Sequence, residues 1–227
     1  MDGGGATIAG GSSNTTNAAY NTVGGGQTNQ AITNSHAAVA GGLSNTASGQ
    51  YAFVGGGGTN TAAGPYGTVA GGVSNQVQAA GNWGSVGGGS NNVVSGIRGT
   101  IPGGEQNAAA GARSFAAGYR AKANHDGAFV WGDNNDFDFA STVADELSAR
   151  AVGGVRFVSA IDGSGSATAG VTLAAGGGSW SSISDSTMKE HVVPVDAVEI
   201  ATRVASLPQI GRASRRARGA SSGGAGA

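Results

Sequence analysis

Residues 38–52 read AVAGGLSNTASGQYA and residues 68–84 read TVAGGVSNQVQAAGNWG. Each opens with a small or hydroxyl residue and a valine, then passes through a glycine pair. Each reaches Asn six residues after the valine and places a small or β-branched residue two positions later. Working outward, the same columns recur seven times. Val39 and Val69 belong with Ile8, Val23, Val54, Val86 and Ile101, at spacings of 15, 16, 15, 15, 17 and 15 residues. The Asn column runs Asn14, Asn29, Asn45, Asn60, Asn75, Asn92 and Asn107, and the small column Thr16, Ala31, Ala47, Ala62, Val77, Val94 and Ala109. A self-similar period of this kind is the signature of a repeat architecture.

The unit is a β unit. Its apolar residues have no 3.6-residue spacing, and each glycine would cost a helix about 1 kcal/mol relative to Ala. Gly and Asn do tolerate the positive φ of tight turns. Fifteen residues hold two strands of about five residues and two turns, and parallel stacking at about 4.8 Å per unit aligns every column into a ladder. The reading is an all-β parallel β-roll or solenoid. The Val/Ile column and the Ala/Val column face inward as the repeat core. The Asn column lies in a stacked turn, its side chains satisfying backbone groups. One branched aliphatic and one small residue per coil make a thin core. The repeats carry no charge to hold coils of different chains apart, so a second copy of the chain is the expected packing partner.

Composition closes off several function classes. Gly, Pro and Ser make up about a third of the chain, which without a period would read as low complexity. There is no Cys, hence no disulfide, thiolate metal site or thiol redox chemistry. No apolar run is long enough to span a membrane as a helix. The start, Met1-Asp2-Gly-Gly-Gly, shows no signal peptide. The net charge is −1, and no Asp, Glu, Lys or Arg occurs between Asp2 and Arg98. A nucleic-acid or anionic surface partner needs a clustered basic patch, and the one basic cluster is Arg212, Arg215, Arg216 and Arg218 in a Ser/Gly/Ala-rich tail.

The units TVGGGQTNQAITNSHA, AVAGGLSNTASGQYA and TVAGGVSNQVQAAGNWG resemble the head repeats of YadA-like trimeric autotransporter adhesins. The stretch SFAAGYRAKANHDGAFVWGD, Ser114 to Asp133, looks like the end of such a head. The resemblance implies a left-handed parallel β-roll and a homotrimer packed around one axis. It assigns residues 1–139 to the head. Residues 140–183 then form a β connector or neck. There LSARAVGGVRFVS reads as two strands about Gly153-Gly154, and another strand holds Val171 and Leu173. Val198, Ile200, Ala201, Val204 and Leu207 fall at helical spacing from Asp196, with Pro208 as the stop.

Ser184-Asp185, followed by Lys189-Glu190, resembles the opening of the endosialidase-type intramolecular chaperone at the C-termini of tail fibres and spikes. The resemblance implies a trimerisation chaperone over residues 184–210, cleaved between Ser184 and Asp185 with Lys189 taking part. A desolvated Lys can deprotonate a hydroxyl. Past Pro208, however, the chain reads QIGRASRRARGASSGGAGA, and residues 211–227 are expected to form a basic, Gly/Ser/Ala-rich disordered tail. Without the scaffold that would bury Lys189, the dyad is expected to be vestigial and the Ser184–Asp185 bond intact.

The remaining candidates have plainer readings. Asp133, Asp136 and Asp138 miss the spacing of a calcium loop and read as a solvated turn. His36, His125 and His191 have no metal-ligand spacing, and the glycines lack a nucleotide-binding context. Trp83, Tyr51 and Tyr66 read as aromatic caps on a thin core, with sugar contact from the coil exterior as the alternative. Thr7, Thr22, Thr68 and Thr100 share a column, but Ala38, Phe53 and Ser85 break it as an ice-binding face. No cofactor or metal is expected. The functional expectation is a non-enzymatic structural or adhesive segment of an extracellular homotrimeric fibre, at a cell surface or on a virion. The alternatives are a glycan- or surface-ligand-binding module and a self-assembling filament subunit. Unlike aromatic and polar residues clustered on one face would favour the first alternative.

Overall fold

The computed structural model describes residues 4–184 and 196–206. Thr7–Ile8, Thr22–Val23, Ala38–Val39, Phe53–Val54, Thr68–Val69, Ser85–Val86 and Thr100–Ile101 stack in that order as parallel neighbours. The same sheet runs on through Phe115–Tyr119, Phe129–Gly132 and Leu147–Arg150, for ten stacked strands. A second sheet of nine strands runs from Thr15–Thr16 through Ala62 and Val94 to Phe139–Ala140. The register is column on column: Val54 pairs with Val69, and Ala47 with Ala62. The fold is therefore a parallel β-solenoid with turns of about fifteen residues.

Two details differ from the sequence reading. Each strand in the repeats is two residues long rather than about five. The corners consume the difference, because each coil places at least one glycine and two non-glycine residues at positive φ. Pairing nevertheless continues outside the strands through single parallel bridges, such as Gln27 to Leu43 and Gly58 to Val73. In addition, parallel stacking does not end at residue 139. Leu147–Arg150 pairs with Phe129–Gly132 in the solenoid sheet, so it is a coil strand, and Val155–Ile161 across Gly153-Gly154 belongs to a different sheet.

Most backbone amides point forward along the stack: Thr22 N–H donates to Ala37 O, Gly24 to Val39 O and Gln30 to Asn45 O. The positive-φ residues turn theirs back. Thr28 N–H donates to Ser12 O, Ser44 to Gln27 O, Tyr51 to Ser35 O and Tyr66 to Gln50 O. Two columns are held this way. One runs from Ser13 through Thr28, Ser44, Thr59, Ser74, Asn91 and Gln106 to Arg120, at φ of 54 to 58°. The other runs from Tyr20 through His36, Tyr51, Tyr66, Trp83 and Arg98 to Arg113, at φ of 56 to 65°. A non-glycine residue in this region costs of order 1–3 kcal/mol, against which each after Ser13 gains a backbone hydrogen bond to the preceding coil. A third column, Gly26, Gly42, Gly57 and Gly72, has positive φ and must be glycine. A Cβ on Gly72 would stand 2.1 Å from Gly89 O.

The core is a line rather than a ball. Val23, Val39, Val54, Val69, Val86 and Ile101 are buried from one side, and Ala31, Ala47, Ala62, Val77, Val94 and Ala109 from the other. Ile8, in the first described coil, is only partly buried against them. Within the seven repeats, coil length varies at one corner alone. From each core aliphatic through its Asn to the small column the count is fixed. The extra residue of the 16-residue coil and the two extra residues of the 17-residue coil fall between Ala31 and Val39 and between Val77 and Val86. There Asn34 N–H bonds Ile32 O and Asn82 N–H bonds Ala80 O.

The chain divides into two units. The first comprises the coils through Phe157 together with Val171–Ser181, and the second comprises Val158–Gly170 and the described residues from Ser182 onward. Val155–Ile161, Ala167–Leu173 and Trp180–Ser184 follow one another in a three-stranded sheet. In the second unit, the Asp162 carboxylate closes a turn by accepting Ser164 and Ser166 N–H. The helix is Ala197–Ala205, capped by the Asp196 carboxylate accepting Val198 and Glu199 N–H. Its Val198, Ile200 and Val204 are exposed. Leu207 and Pro208 lie outside the described residues.

Candidate functional site

The Asn column is the most ordered polar feature of the coils. Asn29, Asn45, Asn60, Asn75, Asn92 and Asn107 are buried. Each Oδ1 accepts the backbone N–H of the next column member, from Asn29 to Asn14 (2.9 Å) to Asn92 to Asn75 (3.1 Å). Each Nδ2 donates twice, to the glycine carbonyl four residues back and to a glycine carbonyl of the next coil. For Asn29 these are Gly25 O and Gly42 O, both at 2.8 Å. The amide satisfies donors and acceptors of two coils with one side chain, which Asp cannot do because it lacks the Nδ2 donors. The ladder ends where Ala121 N–H takes the Asn107 oxygen. A second buried asparagine escaped the sequence reading. Asn21 bonds Ala31 O and Ala37 N–H, in a column that holds Ala or Gly in the other repeats and Ser114 beyond them, so no recurrence marked it.

The aromatic residues form a ladder. Tyr20, His36, Tyr51, Tyr66 and Trp83 stack in succession with ring centroids 4.9, 4.8, 5.0 and 5.5 Å apart. The sequence reading singled out Tyr51, Tyr66 and Trp83; the structure places Tyr20 and His36 in the same column. Both ends are covered. Arg98 lies over Trp83, 4.8 Å from the ring centroid, and Gly5 packs against Tyr20 so closely that a Cβ there would meet the ring at 2.9 Å. Ring faces are thus taken by neighbours, leaving edges to solvent. A saccharide stacking on an aromatic face finds none free in this column.

At the last coils the chemistry changes. Arg150 donates to Asp133 (2.6 Å) and to the carbonyls of Phe137 and Asn135 (2.6 and 2.8 Å). Arg120 donates to Asp136 and Asp138 at 2.8 and 2.9 Å, and Tyr119 Oη–H donates to Asp136. The three aspartates that suggested a cation loop are thus neutralised by side chains of the chain itself. The Val152 backbone N–H, with the Arg150 guanidinium and the Asn135 backbone N–H beside it, holds the Asp133 carboxyl well below the usual range. The Ser148 hydroxyl and the Thr142 backbone N–H draw Glu146 down to about 2. The Ser141 hydroxyl is buried, accepts from Asn124 and His125 N–H, and bonds His125 Nδ1 at 2.8 Å. It therefore anchors a turn and presents no nucleophile.

Two further places bear on function. A shallow depression is lined by Gly89, Gly104, Gly118, Ser90, Glu105, Tyr119 and Asn134. Ser184 ends the strand Trp180–Ser184. Asp185, Lys189 and His191 lie outside the described residues, so the structure places no dyad. Among the described residues no group of His, Asp and Glu has the arrangement of a metal site, and no helix is long and apolar enough to cross a membrane. These features define a repeat protein of the parallel β-solenoid class. No protein-family model matches the chain, and no curated protein matches it in sequence.

Proposed function

We propose that the chain is a structural and adhesive segment of an extracellular fibre, built as a homotrimer of side-by-side solenoids. The observation that carries this reading is the mismatch between core and surface. The coils bury only a single file of branched aliphatics and a file of small residues, while Phe53, Phe129, Trp131 and Leu147 stand exposed on the first sheet. Exposed apolar side chains on a parallel sheet are the surface another copy would cover, and the resemblance to adhesin heads sets the number at three. Light scattering on the purified chain is expected to give a trimer, and a stable, folded monomer of 21.7 kDa overturns the proposal. In this reading residues 184–210 are the remnant of a trimerisation chaperone, and intact-mass measurement finds one uncut species. A dominant product ending at Ser184 would show the Ser184–Lys189 pair to be active.

A second reading, a module that binds a glycan or another polar surface ligand, draws on the depression at Glu105 and Tyr119. A carboxylate, a serine hydroxyl and a phenol among lining glycines suit a polyhydroxylated ligand. Glycan-array binding that Glu105→Gln abolishes would favour it.

A further inference from the structure

We propose that Tyr51 and Tyr66 are a site of oxidative cross-linking, which joins two successive coils of one chain through a dityrosine bond. The two rings are consecutive rungs of the aromatic ladder, with centroids 5.0 Å apart and planes 16° from parallel. They are the one pair of tyrosines adjacent in the ladder, since His36 separates Tyr20 from Tyr51 and Trp83 follows Tyr66. Both are accessible, at 44% and 46% exposure. Both are fixed at positive φ, and each backbone N–H is bonded to the coil before it. Ring approach therefore does not depend on loop motion. Tyr119 differs, because its hydroxyl donates to Asp136 and it stands outside the ladder.

The chemistry needs a one-electron oxidant of the peroxidase–hydrogen peroxide class. Each phenol gives one electron to the oxidant and its hydroxyl proton to water. The two phenoxyl radicals form a carbon–carbon bond between positions ortho to their oxygens. Each of those carbons then loses its hydrogen by tautomerisation to the oxygen, restoring two phenols. In total two electrons and two protons leave, and the chain is lighter by two hydrogen atoms. Trp83 competes poorly for the hole, because the Arg98 guanidinium over its ring disfavours a second positive charge there. In a chain with no cysteine, this bond would serve as a covalent tie between coils.

The test uses the full chain, dilute, with peroxidase and limiting hydrogen peroxide. No Lys or Arg lies between the two tyrosines, but cleavage after Phe53 separates them, so the cross-link appears as two joined peptides. Expected are dityrosine fluorescence, a chain two hydrogens lighter and a joined Tyr51–Tyr66 peptide pair. Tyr66→Phe, which keeps the stacked ring, should reduce the signal to background, whereas Tyr119→Phe and Tyr20→Phe should leave it unchanged. Cross-linking that persists in Tyr66→Phe, that occurs only between chains, or that never joins these two residues overturns the proposal.

Discussion

The coils up to Ile97 and those from Arg98 to Val152 follow one architecture but are held by different means. The first set contains no Asp, Glu, Lys or Arg after Asp2 and relies on the buried asparagine ladder, backbone bonds running in both directions and stacked rings. The second loses the asparagine at Ala121, lengthens its strands to four or five residues at Phe115–Tyr119 and Phe129–Gly132, and pins its corners with Arg120, Arg150 and their aspartates. The contrast teaches that stacking geometry is the constant, and that the group satisfying each corner can be an amide or an ion pair.

The largest expected effect breaks the amide device. Asn75→Asp removes the donors to Gly71 O and Gly89 O, at 3.0 and 2.8 Å, and buries a carboxylate against two carbonyls. The cost should be about 3 kcal/mol or more. The new carboxyl has a raised pKa in the folded state, so the variant recovers stability as pH falls through that value. A thermal melt that matches the parent at pH 7 would contradict the ladder's role.

A mid-sized effect distinguishes the two regions by acid. Asp133, Asp136, Asp138 and Glu146 all have depressed folded-state pKa values. The stability they supply is present above their ordinary values near about 4. It is lost as pH falls toward the folded values, which for Glu146 is about 2. Coils before Arg98 contain no carboxylate after Asp2 and have nothing of the kind to lose. Hydrogen exchange resolved by region, corrected for the intrinsic rate at each pH, should show protection falling in residues 115–152 while residues 20–97 hold. Equal loss in both regions would erase the distinction.

The smallest effect probes backbone strain. Thr28 is a β-branched residue at φ 58° on the surface. Thr28→Gly relieves that strain against a greater unfolded-state entropy, and should leave stability within about 1 kcal/mol of the parent, on the favourable side. The same exchange at Arg120, which occupies the matching corner, forfeits both ion pairs and should lower the melting temperature. Two changes of the same sign would show that the corners of the two regions are equivalent.

The sequence made the solenoid legible because three columns recur in register, and recurrence is what parallel stacking requires. Val54, Val69 and the asparagines could be placed from spacing alone. The strand length could not, because most non-glycine residues at positive φ are Ser, Thr, Tyr, Trp, Gln or Arg, which do not announce a left-handed backbone, and Asn91 and His36 stand alone in their columns. The ladder's extent was missed for a related reason. His36 and Arg98 share the column of Tyr51 and Trp83 but differ from them in chemistry, and only coordinates show them stacked. The ion pairs from Asp133 to Arg150 span 17 residues in a stretch where the period has faded, so no column pointed to them.

The corner that absorbs extra residues has a consequence for phase. In a coiled coil, an inserted residue shifts every later side chain around the axis until the supercoil itself adjusts. Here the longer coils between Ala31 and Val39 and between Val77 and Val86 leave the following valine in its place, because the next asparagine resets the count against the coil below. Errors of length are corrected once per turn instead of accumulating.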